Sequence, residues 1–166
     1  MTEISARFAL PFLQPGQAQK ELYHNEALAM LDIALHASVQ SAEQVDPPAS
    51  PAPGQCWIVA AAATGAWNGR DGAIAGWTSG GWRFVEPREG MLAWSLADGV
   101  WLQRLGTTWV AGRVSTSSVW SGGVQVVGSQ GSAITGPAGG PVVDVEAREA
   151  IVEVLEALRA HGLIAT

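Results

Sequence analysis

Four carboxylates and a run of indoles are the residues of this chain that could do chemistry. Asp71, Glu86, Glu89 and Asp98 share one stretch with Trp67, Trp77, Trp82, Trp94, Trp101 and Trp109, while Trp57 precedes it and Trp120 follows. Two carboxylates held roughly 5 to 10 Å apart across a sugar could cleave a glycosidic bond. Indole faces stack on sugars, and they also fill protein cores. Asp71 and Asp98 belong to Asp-Gly pairs and Glu86 and Glu89 flank Pro87, so turn and loop roles account for all four. No catalytic residue is therefore assigned. Trp57, Trp82 and Trp94 sit beside alternating apolar residues and read as core. Trp67 and Trp77 lie among glycines and polar turn residues in "AWNGRDG" and "AGWTSGGW". With Asp71, they are the candidates for a glycan-facing or partner-facing surface.

A second polar set lies near the N-terminus, where Gln17, Gln19, Lys20, His24, Asn25 and Glu26 crowd one segment. One histidine without a second His or Cys at ligand spacing makes no metal site. Helix capping, or a buried polar network that fixes how a helix packs, is the expected role. The lone Cys56 excludes an internal disulfide and a thiolate cage. His24, His36 and His161 all fall in predicted helices, and no Gly-X-Ser-X-Gly elbow, P-loop, dinucleotide fingerprint or His-Glu-X-X-His is present. The expectation is a protein without enzymatic activity, metal or cofactor. Nine scattered basic residues and a net charge of −6 argue against a nucleic-acid partner. The first residues lack the charged start and apolar run of a signal peptide, and no apolar run is long enough to span a membrane. Assembly in the cytoplasm without membrane insertion is expected. Charged residues reach 14%, against about 25% in an average soluble domain, so part of the surface is apolar and implies a partner.

The elements that must position these residues change in texture along the chain. Residues 1–45 form an N-terminal helical segment, with a helix over 17–40 whose stripe runs through Leu28, Leu31, Leu35 and Val39. "DPPASPAPG" over 46–54 is a proline-rich connector that is neither helix nor central strand. Residues 55–127 hold short apolar runs between Gly, Pro and Asp-Gly pairs, and Asp71-Gly72 and Asp98-Gly99 predict type I′ hairpins. Residues 128–143 read as a Gly-rich linker and 144–166 as an amphipathic helix, capped by Asp144 and Gly162. The architecture predicted is α+β: an N-terminal helix packed on a small antiparallel β-sandwich or barrel, then the linker and the C-terminal helix. The faces through Leu28, Leu31 and Leu35 and through Ile151, Leu155 and Leu158 are wide enough to serve packing between copies.

Three blocks carry a resemblance. "LPFLQPGQAQKELYHNEALAMLDIAL", with Gln-Ala-Gln-Lys followed by His-Asn-Glu-Ala, resembles the helical opening of an uncharacterised-domain family of alphaproteobacterial gene transfer agents and related phages. "PGQCWIVAAAATGAWNGRDGAIAGWTSGGWRFVEPREGMLAWSLADG" is similar to that family's Gly- and Trp-rich β region. "ITGPAGGPVVDVEAREAIVEVLEALRAHGLI" looks like the closing helix of spike and fibre proteins. The resemblance implies a virion structural protein, a head spike or tail fibre of a phage-like particle. It would form a homo-oligomer, a trimer first and a pentamer second, beside capsid or spike partners. Host attachment through capsular polysaccharide follows, directly or as the base for an adhesin. A carbohydrate-binding module acting through exposed tryptophans is the alternative, and a polysaccharide depolymerase the weaker one.

Overall fold

A computed structural model describes residues 3–14, 16, 20–141 and 143–165. They form two compact units, one ending at Val114 and one beginning at Ser115. The first holds α1 (Lys20–Ala34), β1 (Ser38–Val39), β2 (Cys56–Ile58), a 3-10 turn at Gly65–Trp67, β3 (Ile74–Thr78), β4 (Gly81–Val85), β5 (Leu92–Ser95), β6 (Val100–Leu105) and β7 (Thr108–Ala111). The second holds β8 (Val119–Ser121), β9 (Val124–Val127) and α2 (Val145–Ala160). The chain is α+β, with the N-terminal helix packed on small sheets.

The sheets differ from the expected antiparallel sandwich or barrel. One runs β2-β3-β4 and is antiparallel; the other runs β1-β5-β6-β7, and its β1–β5 pairing is parallel. No barrel closes. The reason lies in residues 37–41, which bond in both directions. The carbonyls of Ala37 and Val39 accept from the amides of Trp94 and Leu96, while Gln40 donates to Cys56 and Ser41 accepts from Ile58. One extended segment thus satisfies backbone groups of both sheets and joins them along a seam.

The β2-β3-β4 sheet is covered on both faces. Alternation sends Cys56, Ile58 and Ile74 toward Ile33, Val39, Ala93 and Leu102, and sends Trp57 and Ala75 toward Val59, Ala63 and Trp67. All three residues of β2 are buried, which is why its sequence reads as an unbroken apolar run.

Helix α1 stops six residues short of the predicted 40. The Arg7 guanidinium donates to the carbonyls of Asp32 (2.6 Å), Ile33 (3.0 Å), Leu35 (3.3 Å) and His36 (2.9 Å). Those are the carbonyls a helix end leaves bare, so a side chain distant in sequence terminates the helix. His36 then turns left-handed with φ 44°, and Val39, placed on the helical stripe from sequence, lies fully buried in β1.

The predicted type I′ turns fall elsewhere. Asp71-Gly72 precedes β3 within a loop, and Asp98-Gly99 closes a longer β5–β6 connection in which only the glycine has positive φ. The two-residue turn with positive φ at both positions is Gly122-Gly123, at 57° and 79°, between β8 and β9. That hairpin lies beyond Val114, so the β region predicted over 55–127 is divided between the units.

In the second unit, Asp144 caps α2 by accepting from Ala147 (2.9 Å). At the other end Gly162 donates to Arg159 and Leu163 to Leu158, a Schellman closure with Gly162 at φ 69°. The chain then returns to the predicted linker. Gly131 donates to Leu163 (2.7 Å) and accepts from Ala165 (2.8 Å), so the Gly-rich segment is held at its start.

Helix and sheet approach closely where Ile33 lies on Gly76. A Cβ at Gly76 would lie 2.5 Å from both Cγ1 and Cδ1 of Ile33. Gly76→Ala is expected to cost about 1–3 kcal/mol by overpacking. Added to Ile33→Ala, it should cost clearly less than alone, because the clash is gone. Urea denaturation of the four chains checks this; strict additivity would remove Ile33 as the obstacle.

Candidate functional site

Six of the eight indoles fall into two groups. Trp82 is a hub: it meets Trp57 at 5.6 Å, Trp67 at 5.2 Å and Trp77 at 5.0 Å between ring centroids, each edge to face. Such contacts add about 0.5–1.5 kcal/mol each beyond area burial. Trp67, placed at the surface from sequence, is the deepest of these rings, at 0% exposure. The 3-10 turn that carries it folds over the β2-β3-β4 sheet, so its Gly-rich flanks mark a tight approach to the core. Trp77 stands at the half-buried margin of the same cluster.

Trp94 moves the other way. It pairs across the strands with Trp101, ring centroids 5.3 Å apart, while the neighbouring Ala93 and Leu102 point inward. Trp94 is half-buried and Trp101 39% exposed, so this pair caps an outer sheet face. The alternation was legible, but not which phase faced the core.

Two clefts among the described residues of this unit border residues that could do chemistry. The first, about 380 Å³, is bordered by Trp77, Ser5, Arg7, Asp32 and Gly54. Asp32 was not singled out from sequence, although an acid between Leu31 and Ile33 on a helix was a readable signal. Its carboxylate is 4% exposed and accepts from Ser5 Oγ (2.6 Å), Arg7 N (2.9 Å) and Phe8 N (2.8 Å). Three donors stabilise a charge that burial would otherwise penalise. This carboxylate ties the N-terminal segment to α1.

The second cleft, about 370 Å³, has Ile58 and Leu102 in its lining and Glu43, Asp71, Asp98, Arg104 and Trp109 around them. Trp109 Nε1 donates to the Gly72 carbonyl (2.8 Å), which fixes the indole at the wall. Asp71 Oδ2 accepts from Ala62 N (3.1 Å), and Asp98 Oδ2 from Ser95 Oγ (2.6 Å). Asp71 and Asp98 both line this cleft, whereas Trp77 borders the first one and Trp67 is buried in the core.

The N-terminal polar set pins rather than lines a site. Asn25 exchanges two hydrogen bonds with the Leu13 backbone (2.8 and 3.0 Å), and Glu26 pairs with Arg83 at 2.6 Å. Lys20 and His24 are exposed; Gln17 and Gln19 lie outside the described residues. On α1 the buried positions are Asp32 and Ile33, while Leu28 is half-buried and Leu31 and Leu35 face outward. On α2 Leu155 is buried, Leu158 half-buried and Ile151 exposed. Among the described residues no cluster of three His, Cys, Asp or Glu is placed to hold a metal, and no helix is long and apolar enough to cross a membrane.

A family model described as "Protein of unknown function (DUF2793)" matches residues 24–110. The match starts within α1 and ends on β7, so it takes in both sheets of the first unit but not the N-terminal residues that border the first cleft, and it stops before the second unit. No curated protein matches the chain.

Trp67→Ala should cost about 3–5 kcal/mol, as for a large buried aromatic. Trp67→Phe should cost less, because Nε1 has no hydrogen-bond partner among the described residues to lose. Equal stability of Trp67→Ala and the parent in urea would contradict the core assignment. Burial pushes the Cys56 thiol up from 9.0 to about 11, against the lowering effect of Arg7 and with Asp32 adding to the rise. Between those values the unfolded chain has lost the proton and the folded chain keeps it, so stability falls as pH rises from about 9 to 11. The fall should be smaller in Cys56→Ala, measured by denaturation across that range.

Proposed function

The chain belongs to the DUF2793 family, and from that premise we propose that it is a structural component of a gene transfer agent or phage-like particle, a head spike or tail fibre. It works as a homo-oligomer, a trimer before a pentamer, docked to capsid or spike proteins. It serves attachment to host surface polysaccharide, directly or as the base for an adhesin, and performs no catalytic step. Assembly takes place in the bacterial cytoplasm, without nucleic-acid binding or membrane insertion.

The observation that carries this reading is the second unit's lack of a core of its own. Among its described residues only Leu155 and Ile164 are buried. All seven strand residues of β8 and β9 are exposed, Trp120 at 61% and Val124 at 64%. An isolated two-stranded hairpin is marginal in water, and α2 exposes Ile151, Val152 and Val154 as well. Association of several copies supplies the missing apolar cover. The resemblance of the N-terminal and β blocks to particle proteins supports the location.

A second reading, a carbohydrate-binding module, is favoured by the cleft that unites Asp71, Asp98, Arg104 and Trp109. Both roles fit one particle protein.

Light scattering on the full chain should return the mass of three copies. Ile151→Glu combined with Val154→Glu should drive it toward monomer, since like charges brought together at an interface cost several kcal/mol. A parent chain that is monomeric at high concentration would overturn the oligomer reading. Incubation with host polysaccharide should leave its chain length unchanged; shortened products would replace the structural reading with an enzymatic one.

A further inference from the structure

We infer that residues 132–140 form a strap over the apolar face of α2 and gate assembly, so that the face meets a second copy of this chain only when the strap lifts. Its role rests on the oligomer proposed above, whose contact surface and control it specifies.

The path of the strap follows from three points of attachment. At its start Gly131 donates to the Leu163 carbonyl and accepts from Ala165, beyond the C-terminal end of α2. Farther on, Arg159 donates to the Ile134 carbonyl (2.6 Å) and Arg148 to that of Gly139. Strap residues 134 to 139 thus accompany helix residues 159 back to 148. Five steps of extended chain and eleven of α-helix both advance about 16 Å, so the two lengths match. The strap therefore runs extended and antiparallel to the helix, and Gly136 falls level with Leu155. Gly136 is half-buried among exposed strap residues, and Leu155 is the buried residue of α2.

One apolar face is divided by this arrangement. Leu155 lies seven positions from Arg148 and four from Arg159, so all three share the side that the strap crosses. Val145 and Val152 follow one flank of that line, Ile151 and Leu158 the other, and all but the half-buried Leu158 are exposed. A helix of another copy that settles on this face lies along its centre, which the strap occupies.

The cover is a weak one. It is held by its carbonyl oxygens, which water serves nearly as well, and both arginine bonds are exposed. Ile134, the large aliphatic side chain in "GSAITGPAGG", is itself exposed, so the strap removes little apolar area of its own from water. The α2 of a second copy brings leucine, isoleucine and valine side chains to the same face, and association selects the uncovered state. Gly139 and Gly140, at φ 72° and 95°, supply the left-handed bend at the far end of the strap. With Gly131 still anchored, the strap lifts as a loop and leaves the base of the unit intact.

NMR and light scattering on the full chain test this gate. In the dilute monomer the Leu155 methyls are expected to show nuclear Overhauser contacts to the Gly136 α protons. In an assembly mixed from isotope-labelled and unlabelled copies, those contacts are expected to give way to contacts with α2 of another copy. Two variants release the strap from opposite sides: Gly139→Pro, whose φ of about −65° cannot adopt the 72° found there, and Arg148→Gln combined with Arg159→Gln. Each is expected to lower the concentration of half-assembly at least tenfold, because apparent affinity scales with the fraction of chains already uncovered. An assembly that keeps the Leu155–Gly136 contacts, or variants that both assemble no more readily than the parent, would overturn the gate and leave the assembly reading standing. Parent and variants that all stay monomeric would overturn both.

Discussion

Everything in the first unit depends on how closely α1 can approach β3. Ile33 reaches the backbone of Gly76 because no side chain intervenes, and neighbouring Asp32 converts the same helical turn into an acceptor for the N-terminal segment. Arg7, carried in by that segment, closes the carbonyl end of the helix. Apolar contact and polar clamp are thus adjacent in sequence and mutually dependent. With the helix end fixed, the chain leaves it as the seam segment and joins two sheets that otherwise share no strand.

Much of this architecture was legible in the sequence because it rests on local pattern. The apolar stripe announced α1, the proline cluster announced an irregular connector, and Asp144 and Gly162 marked both ends of α2. What local pattern could not carry was anything decided by partners distant in the chain. Residues 35–40 continue the helical period, yet Arg7 ends the helix before them. Asp-Gly suggests a hairpin, but the turn type depends on strand register, and among the two-residue turns of the described residues it is Gly122-Gly123 that has positive φ at both positions.

The candidate site shows the same division. Trp67 looked exposed because its neighbours are glycines and polar residues, a composition that suits a loop at the surface and equally a loop folded onto a sheet. Trp94 looked buried because its neighbours alternate, but alternation has two phases and only the fold selects one. Asp71 and Asp98 were each explained by a turn, and each does lie in a connection between strands. Their shared cleft depends on the Trp109 anchor, which has no signature in either loop.

The family match ends on β7, and the unit after Val114 lies outside the matched residues. Within it, the bonds between Gly131 and the segment following α2 tie the strand-bearing and helical parts together at their bases. In the assembly proposed above, each copy would present hairpin and helix as a linked pair of contact elements. Were the hairpins of two such copies to meet, the second contact would proceed at the effective concentration set by a short tether instead of at the concentration of free chains. Two individually weak contacts can in this way produce an assembly with the persistence of avidity.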